Sequence, residues 1–176
     1  MSKKIYSFAV ITLLCCGFAA VAQQPVQWSK LDSPEGRFRA LTPSKAELTV
    51  SETPGGVTIQ TFSSSNDMGT FMISYADYPN APTSPAHEQT VLDKVRDGVL
   101  KGAQAALVSE TKLTLNGYPG REMQARKIID GAEVIFNWRL LLVGTRLYQL
   151  AVGTTKADSE SPEIKKFFLS FELVVR

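Results

Sequence analysis

An α+β fold is predicted for this chain: an antiparallel sheet ending in a four-stranded meander and covered by helices on both faces, an α/β/α sandwich. Three observations predict it. Four strand-like runs between Glu110 and Thr154 are joined by short turn signals, and both faces of the meander they would form are apolar. Two helix starts, Ser84-Pro85 and Ser161-Pro162, could supply the covering layers. A sheet with one wet face would alternate apolar and polar side chains more cleanly.

The elements follow in order. Lys3 and Lys4 precede the apolar run Phe8 to Ala20, and Ala20-Val21-Ala22 closes it with small residues. This reads as a secretory leader over 1–22, cleaved near Ala22/Gln23, and places the protein in the periplasm or outside the cell. The run is short for a membrane span, which takes roughly 20 apolar residues, and no second one follows. Cys15 and Cys16 suggest a lipid-anchor site, but Leu14 stands where such a site wants Gly, Ala or Ser, so simple cleavage is expected. Both of the chain's cysteines lie in this leader, so the remainder must be stabilised by burial rather than by disulfides. Lys3 and Lys4 also account for the whole excess of 19 basic over 17 acidic residues. A neutral remainder lacks the basic stripe that attracts nucleic acid or anionic lipid.

Residues 23–27 form a polar tether, and 28–176 read as one globular domain. Trp28, Phe38 and Leu41 surround the turn Pro34-Glu35-Gly36, which leads into an extended segment. Strands are expected over Ala46 to Glu52 and Val57 to Phe62, around Thr53-Pro54-Gly55-Gly56, and over Phe71 to Tyr78. The polar stretch Ser63 to Gly69 reads as a loop. After a Pro-rich break, Ser84 caps a helix carrying Val91, Val95 and Val99 on one stripe, with Leu92, Ala103 and Ala106 widening it.

The meander strands are Glu110 to Leu115, Arg121 to Ile129, Ala132 to Val143 and Arg146 to Thr154, joined by Asn116 to Gly120, Asp130-Gly131 and Gly144-Thr145. Tight turns would set Met123 against Trp138, Ala125 against Phe136 and Glu122 against Arg139. One face then collects Met123, Ala125, Phe136, Trp138, Leu140, Leu142, Leu147 and Ala151. The other collects Ile128, Ile135, Leu141, Tyr148, Leu150 and Val152. A last helix after Ser161 would bury Ile164, Phe167, Phe168 and Phe171 on the second face.

Chemistry is harder to place. His87, the only histidine, stands near Ser84, Glu88 and Asp93 on one helix end, whereas a triad needs groups converging from different elements. It reads as an exposed helix-start residue. One histidine cannot build a zinc site, and neither Asn66-Asp67 nor Asp158-Ser159-Glu160 has calcium-loop spacing. No cofactor is expected. One constellation could bind a polar ligand or a partner's carboxylates: Glu122, Gln124, Arg126, Asn137 and Arg139 on one side of two neighbouring strands. The plainer reading is a wet patch of sheet with a cross-strand Glu122 to Arg139 pair.

Trp28 with Pro34-Glu35-Gly36-Arg37-Phe38 and Pro43, the long helix after a Pro-rich break, Asn116 to Gly120 and Arg146-Leu147-Tyr148-Gln149-Leu150 together resemble the PsbP-like family of exported bacterial and thylakoid proteins, whose relatives include the DcrB and LpqN envelope proteins. The resemblance implies an antiparallel sheet between helical layers. It implies roles in assembly or partner binding, with no residue matching a metal or partner site of the photosystem relatives. The expectation is an exported, non-catalytic binding or assembly module of the bacterial envelope, acting on an envelope protein or small ligand. Two alternatives stay open: an enzyme using dispersed carboxylates such as Glu110, Glu122 and Glu133 or a Tyr/Arg pair, and a lipid-shuttling domain with a cavity between helix and sheet.

Overall fold

A computed structural model describes residues 27–174. The leader over 1–22 and all but the last residue of the tether lie outside them. The meander is formed by β6 (Ala106–Leu115), β7 (Tyr118–Ile129), β8 (Ala132–Val143) and β9 (Arg146–Thr155). Its register is the one the turns predict: Met123 opposes Trp138, Ala125 opposes Phe136, and Glu122 opposes Arg139. Asp130 and Gly131 sit at φ 51° and 81°, the left-handed pair that a two-residue hairpin turn requires. Asn116 and Gly117 do the same at 52° and 85°. The expected five-residue link therefore contracts to two, and Tyr118, Pro119 and Gly120 join β7.

Ahead of the meander lie β1 (Ser29–Ser33), β2 (Phe38–Thr42), β3 (Glu47–Glu52), β4 (Thr58–Asn66) and β5 (Gly69–Asp77). β5 pairs with β9, giving a seven-stranded sheet of order β3-β4-β5-β9-β8-β7-β6. The serine run expected as a loop belongs to β4 instead. Composition hid the strand, but Ser64 is buried and the Ser65 and Thr70 hydroxyls hydrogen-bond across the pair at 3.1 Å. Only Asp67 and Met68 remain for the turn. Gly69 then runs at φ 144°, with a Cβ built there falling 2.1 Å from the Gly153 carbonyl oxygen, so any side chain would collide.

Two helices are present among the described residues, α1 (Pro85–Ala103) and α2 (Pro162–Leu169). Ser84 caps α1, accepting from the His87 N–H at 3.2 Å, and Ser161 caps α2, accepting from the Ile164 N–H at 3.4 Å. α1 lies over Met123, Ala125, Trp138, Leu140, Leu142, Leu147 and Ala151, with Leu92 fully buried among them and Val91, Val95 and Val99 at the margin. The opposite cluster joins Phe71, Ile73, Tyr148, Leu150 and Val152 to Ile164, Phe167 and Phe168 of α2 and to Phe171.

Phe38 and Ala40 also belong to that second cluster. They come from a separate three-stranded sheet, β1-β2-β10, completed by β10 (Glu172–Leu173). The layer opposite α1 is thus a helix together with a small sheet, where the sequence suggested helix alone. Ile128, expected on an apolar face, is 63% exposed. The β7–β8 ribbon outruns β9, whose pairing with β8 ends at Val134 and Thr155, so among the described residues no third strand lies beside Ile128 to bury it.

Candidate functional site

The polar strip foreseen on β7 and β8 assembles only in part. Arg139 donates to Glu122 Oε2 from Nη2 at 2.6 Å and from Nε at 3.1 Å. Its Nη1 also donates to the Phe168 carbonyl at 2.9 Å, and the guanidinium carbon stands 5.2 Å from the Phe168 ring centroid. Gln124 Nε2 donates to Asn137 Oδ1 at 3.2 Å and to Glu160 at 3.4 Å, and Asn137 Nδ2 donates to the Ser159 carbonyl at 3.3 Å. These four side chains fasten α2 and its leading loop to the sheet. Glu122, Gln124, Asn137, Glu160 and Phe168 still border a hollow of about 270 Å³.

Arg126 stands apart. It lies 3.6 Å from Glu133 and borders a different hollow, of about 560 Å³, with Gln104 and Lys127. Lys156 approaches Glu133 to 3.0 Å, and its hydrogen bond is the main reason the Glu133 carboxyl is held below its ordinary pKa. Glu110 is similarly engaged. Arg121, only 3% exposed, places Nε 2.9 Å from Glu110 Oε1 and Nη2 3.0 Å from Asp93, while Arg96 reaches Glu110 at 3.0 Å and Asp97 at 2.8 Å. The Arg121–Glu110 contact is one of charge, because the N–H is not aimed at the oxygen and Glu110 Oε1 makes no hydrogen bond. This network locks α1 onto β6 and β7. The carboxylates weighed as acids and bases each face a cation.

His87 is exposed and its Nδ1 lies 3.3 Å from the Thr83 N–H, a local contact at the helix entry. Among the described residues no group of three or more His, Cys, Asp or Glu could hold a metal ion, and no helix is long and apolar enough to cross a membrane. The space between α1 and the sheet is filled by Leu92, Trp138 and Leu140.

A further concavity lies elsewhere. At the end of the sheet that carries the β8–β9 turn, a cleft of about 760 Å³ is lined by Glu35, Arg37, Asp77, Tyr118, Arg146 and Tyr148. Asp77 is shared with an adjoining hollow of about 610 Å³, lined also by Tyr75, Tyr78, Gln60 and Gly56. Every tyrosine of the described residues therefore borders this one end.

Arg146 organises the floor. Its Nε donates to Asp77 Oδ1 at 2.7 Å, its Nη1 to the Glu35 carbonyl at 2.7 Å, and its guanidinium carbon lies 4.7 Å from the Tyr75 ring centroid. The hydrogen bond from Arg146 holds the Asp77 carboxyl below the usual carboxylate range. Tyr148 donates to the Gly36 carbonyl at 2.8 Å, and burial raises its phenol pKa. Burial likewise raises the Tyr75 phenol, whose hydroxyl has no hydrogen-bond partner among the described residues. Arg37 projects from the β1–β2 turn at φ 53°, exposed at the rim beside Glu35.

Sequence reading singled out Arg146 to Leu150 and Pro34 to Phe38 as fragments but did not bring them together. Their meeting depends on β5 joining β9 and on the small sheet folding across, and neither leaves a local signal. The cleft combines a fixed cation–carboxylate pair, the partly exposed Tyr118 and a rim of both charges, which suits a polar or peptidic ligand held by hydrogen bonds.

No protein-family model matches the chain, and no curated protein is similar to it in sequence. Solved structures are similar in fold. Cyanobacterial PsbP (CyanoP) from Synechocystis sp. PCC 6803 superposes with a TM-score of 0.57 at 12% identity, over 92% of this chain and 98% of that one. A Bacteroides thetaiotaomicron VPI-5482 protein gives 0.48 at 16% identity over 82% of this chain and 47% of that one. A Pseudomonas aeruginosa protein of unknown function gives 0.45 at 13%, over 85% and 97%. The likeness to CyanoP, spanning nearly all of both chains, gives this chain the PsbP-like fold.

Proposed function

We propose that the protein is a non-catalytic binding or assembly module of the bacterial cell envelope. In this reading it is exported, loses its leader near Ala22, is kin to envelope proteins such as DcrB and LpqN, and works as an α/β/α platform. It engages an envelope protein or a small polar ligand through the tyrosine-bordered cleft, with the Glu122 to Arg139 strip as a second, smaller contact. The observation that carries the proposal is the disposition of charge. Glu110, Glu122 and Glu133 are each within ion-pair distance of an arginine, Glu110 thereby tying α1 to the sheet, while the cleft of about 760 Å³ combines aromatic and charged groups.

Site-specific photo-crosslinking in the native host tests it. A photoreactive residue at Arg37, on the cleft rim, is expected to give a discrete adduct with one envelope component, and one at Lys94 on the exposed side of α1 is not. Identical patterns from both positions would reject the cleft as the contact. Turnover of a small molecule that survives rigorous purification, and is lost on substitution of one polar residue, would reject the non-catalytic reading.

A further inference from the structure

The two edges of the seven-stranded sheet are built differently. β6 carries the irregularity between Leu107 and Ser109, has Lys112 in mid-strand, and is reached by Arg96 from α1 through Glu110. Bulges, lysines and covering elements are the devices by which sheet edges avoid pairing with other chains. Among the described residues, β3 has none of them. It runs straight against β4 from Glu47 to Glu52 with unbroken register, contains neither proline nor lysine, and is exposed at every residue. Leu48 is 53% and Val50 60% exposed, both on the face that Phe62 shares with Phe38.

We infer that β3 is a self-pairing edge through which two copies of this chain join antiparallel about a two-fold axis. The argument for a second copy is the self-complementarity of the strand. A two-fold axis perpendicular to the sheet keeps each face continuous only if a residue pairs with itself. Centred on Thr49, the strand sets Leu48 against Val50 of the partner subunit and Val50 against Leu48 of the partner subunit. Both pairs lie on one face, and Glu47 meets Ser51 of the partner subunit. No like charges oppose each other, and the apolar residues gain cross-strand partners. Shifting the centre to Val50 would set Leu48 against Glu52 of the partner subunit. The Thr49 register uses the strand best, and the pairing turns two open edges into one continuous sheet.

The exported protein is examined by sedimentation velocity from low to high micromolar concentration. A reversible dimer is expected for the wild type, and Val50→Lys, which places a cation on the exposed edge, should weaken association by about tenfold or more without changing the circular dichroism spectrum. In parallel, Thr49→Cys is expected to form a reducible dimer under mild oxidation, and Asn116→Cys, in a turn of the same sheet remote from β3, is not. Should Val50→Lys misfold, the cysteine pair decides alone. The inference is overturned by a wild type that stays monomeric throughout, by a dimer that Val50→Lys leaves intact, or by Thr49→Cys and Asn116→Cys cross-linking alike. A different chain recovered on β3 in place of a second copy would also overturn it.

Discussion

Arg146 is the side chain on which the most distant parts of the chain converge. It binds Asp77 from β5, the Glu35 carbonyl from the β1–β2 turn and the Tyr75 ring, so it ties both sheets together. Charged hydrogen bonds contribute about 1.5–3 kcal/mol each where they are shielded. Because Asp77 is half-exposed, Arg146→Gln is expected to cost only about 1–2 kcal/mol, read as a lower urea midpoint. The pair also carries a pH signature. The Asp77 pKa is depressed in the folded state, so its contribution is complete above the unfolded value, about pH 4, and is lost as pH falls through the folded value. The gap in urea midpoint between wild type and Asp77→Asn should therefore be widest near neutrality and close in acid. A gap constant across that range would mean that the carboxylate charge does not matter. At the same scale, the sequence placed Arg126 and Arg139 on one strip, and their shared parity was legible. Their separate roles were not, because the Phe168 carbonyl and ring that engage Arg139 come from α2. Arg126→Gln should leave stability within about 0.5 kcal/mol, whereas Arg139→Gln should loosen α2 and lower the melting temperature.

Among the elements, α1 shows how far periodicity reaches. The Val91, Val95, Val99 stripe correctly marked the inward side, yet the fully buried residue is Leu92, and the valines sit at the margin. Periodicity gives a direction around the helix axis, and only the crossing over the sheet decides which residue is deepest. Leu92→Ala is expected to cost about 2–5 kcal/mol, measured by chemical denaturation. Arg121→Ala should cost less, about 1–3 kcal/mol, because it removes a buried guanidinium from partly buried Glu110 while Arg96 stays in place. That network was illegible beforehand, since its members come from α1, β6 and β7. The meander is the opposite case. Asp-Gly and Gly-Thr turns fix the β7–β8 and β8–β9 register locally, so the face assignments follow from the sequence and match the structure nearly residue for residue, whereas the Asn-Gly turn was hidden inside a longer link. β4 was misread at its end because serine lowers strand propensity, while the pairing that overrides it lies in the next strand.

For the whole molecule, the chain divides into two hairpin series, β3-β4-β5 and β6-β7-β8-β9, that touch each other as strands only where β5 meets β9. Within each series the partners are neighbours in sequence. Between them stand α1 and most of the meander. The small sheet adds a second long-range closure, since β10 at the far end of the described chain pairs with β2 near its start. This is why the fold class and the meander could be read from the sequence, while the cleft at the seam of the two series could not. The seam also bears on the order in which the molecule acquires its shape. Local hairpins close in microseconds, but sheets dominated by distant pairings fold in milliseconds to seconds, because chain entropy is lost before those contacts form. The β5–β9 joint is the step that must wait. If it forms in the rate-limiting transition state, Ile73→Val in β5 will slow refolding in stopped-flow measurements, and Leu92→Ala in α1 will mainly speed unfolding. In a chain made from its amino terminus, the cleft cannot exist until β9, the last strand of the large sheet to be synthesised, reaches β5.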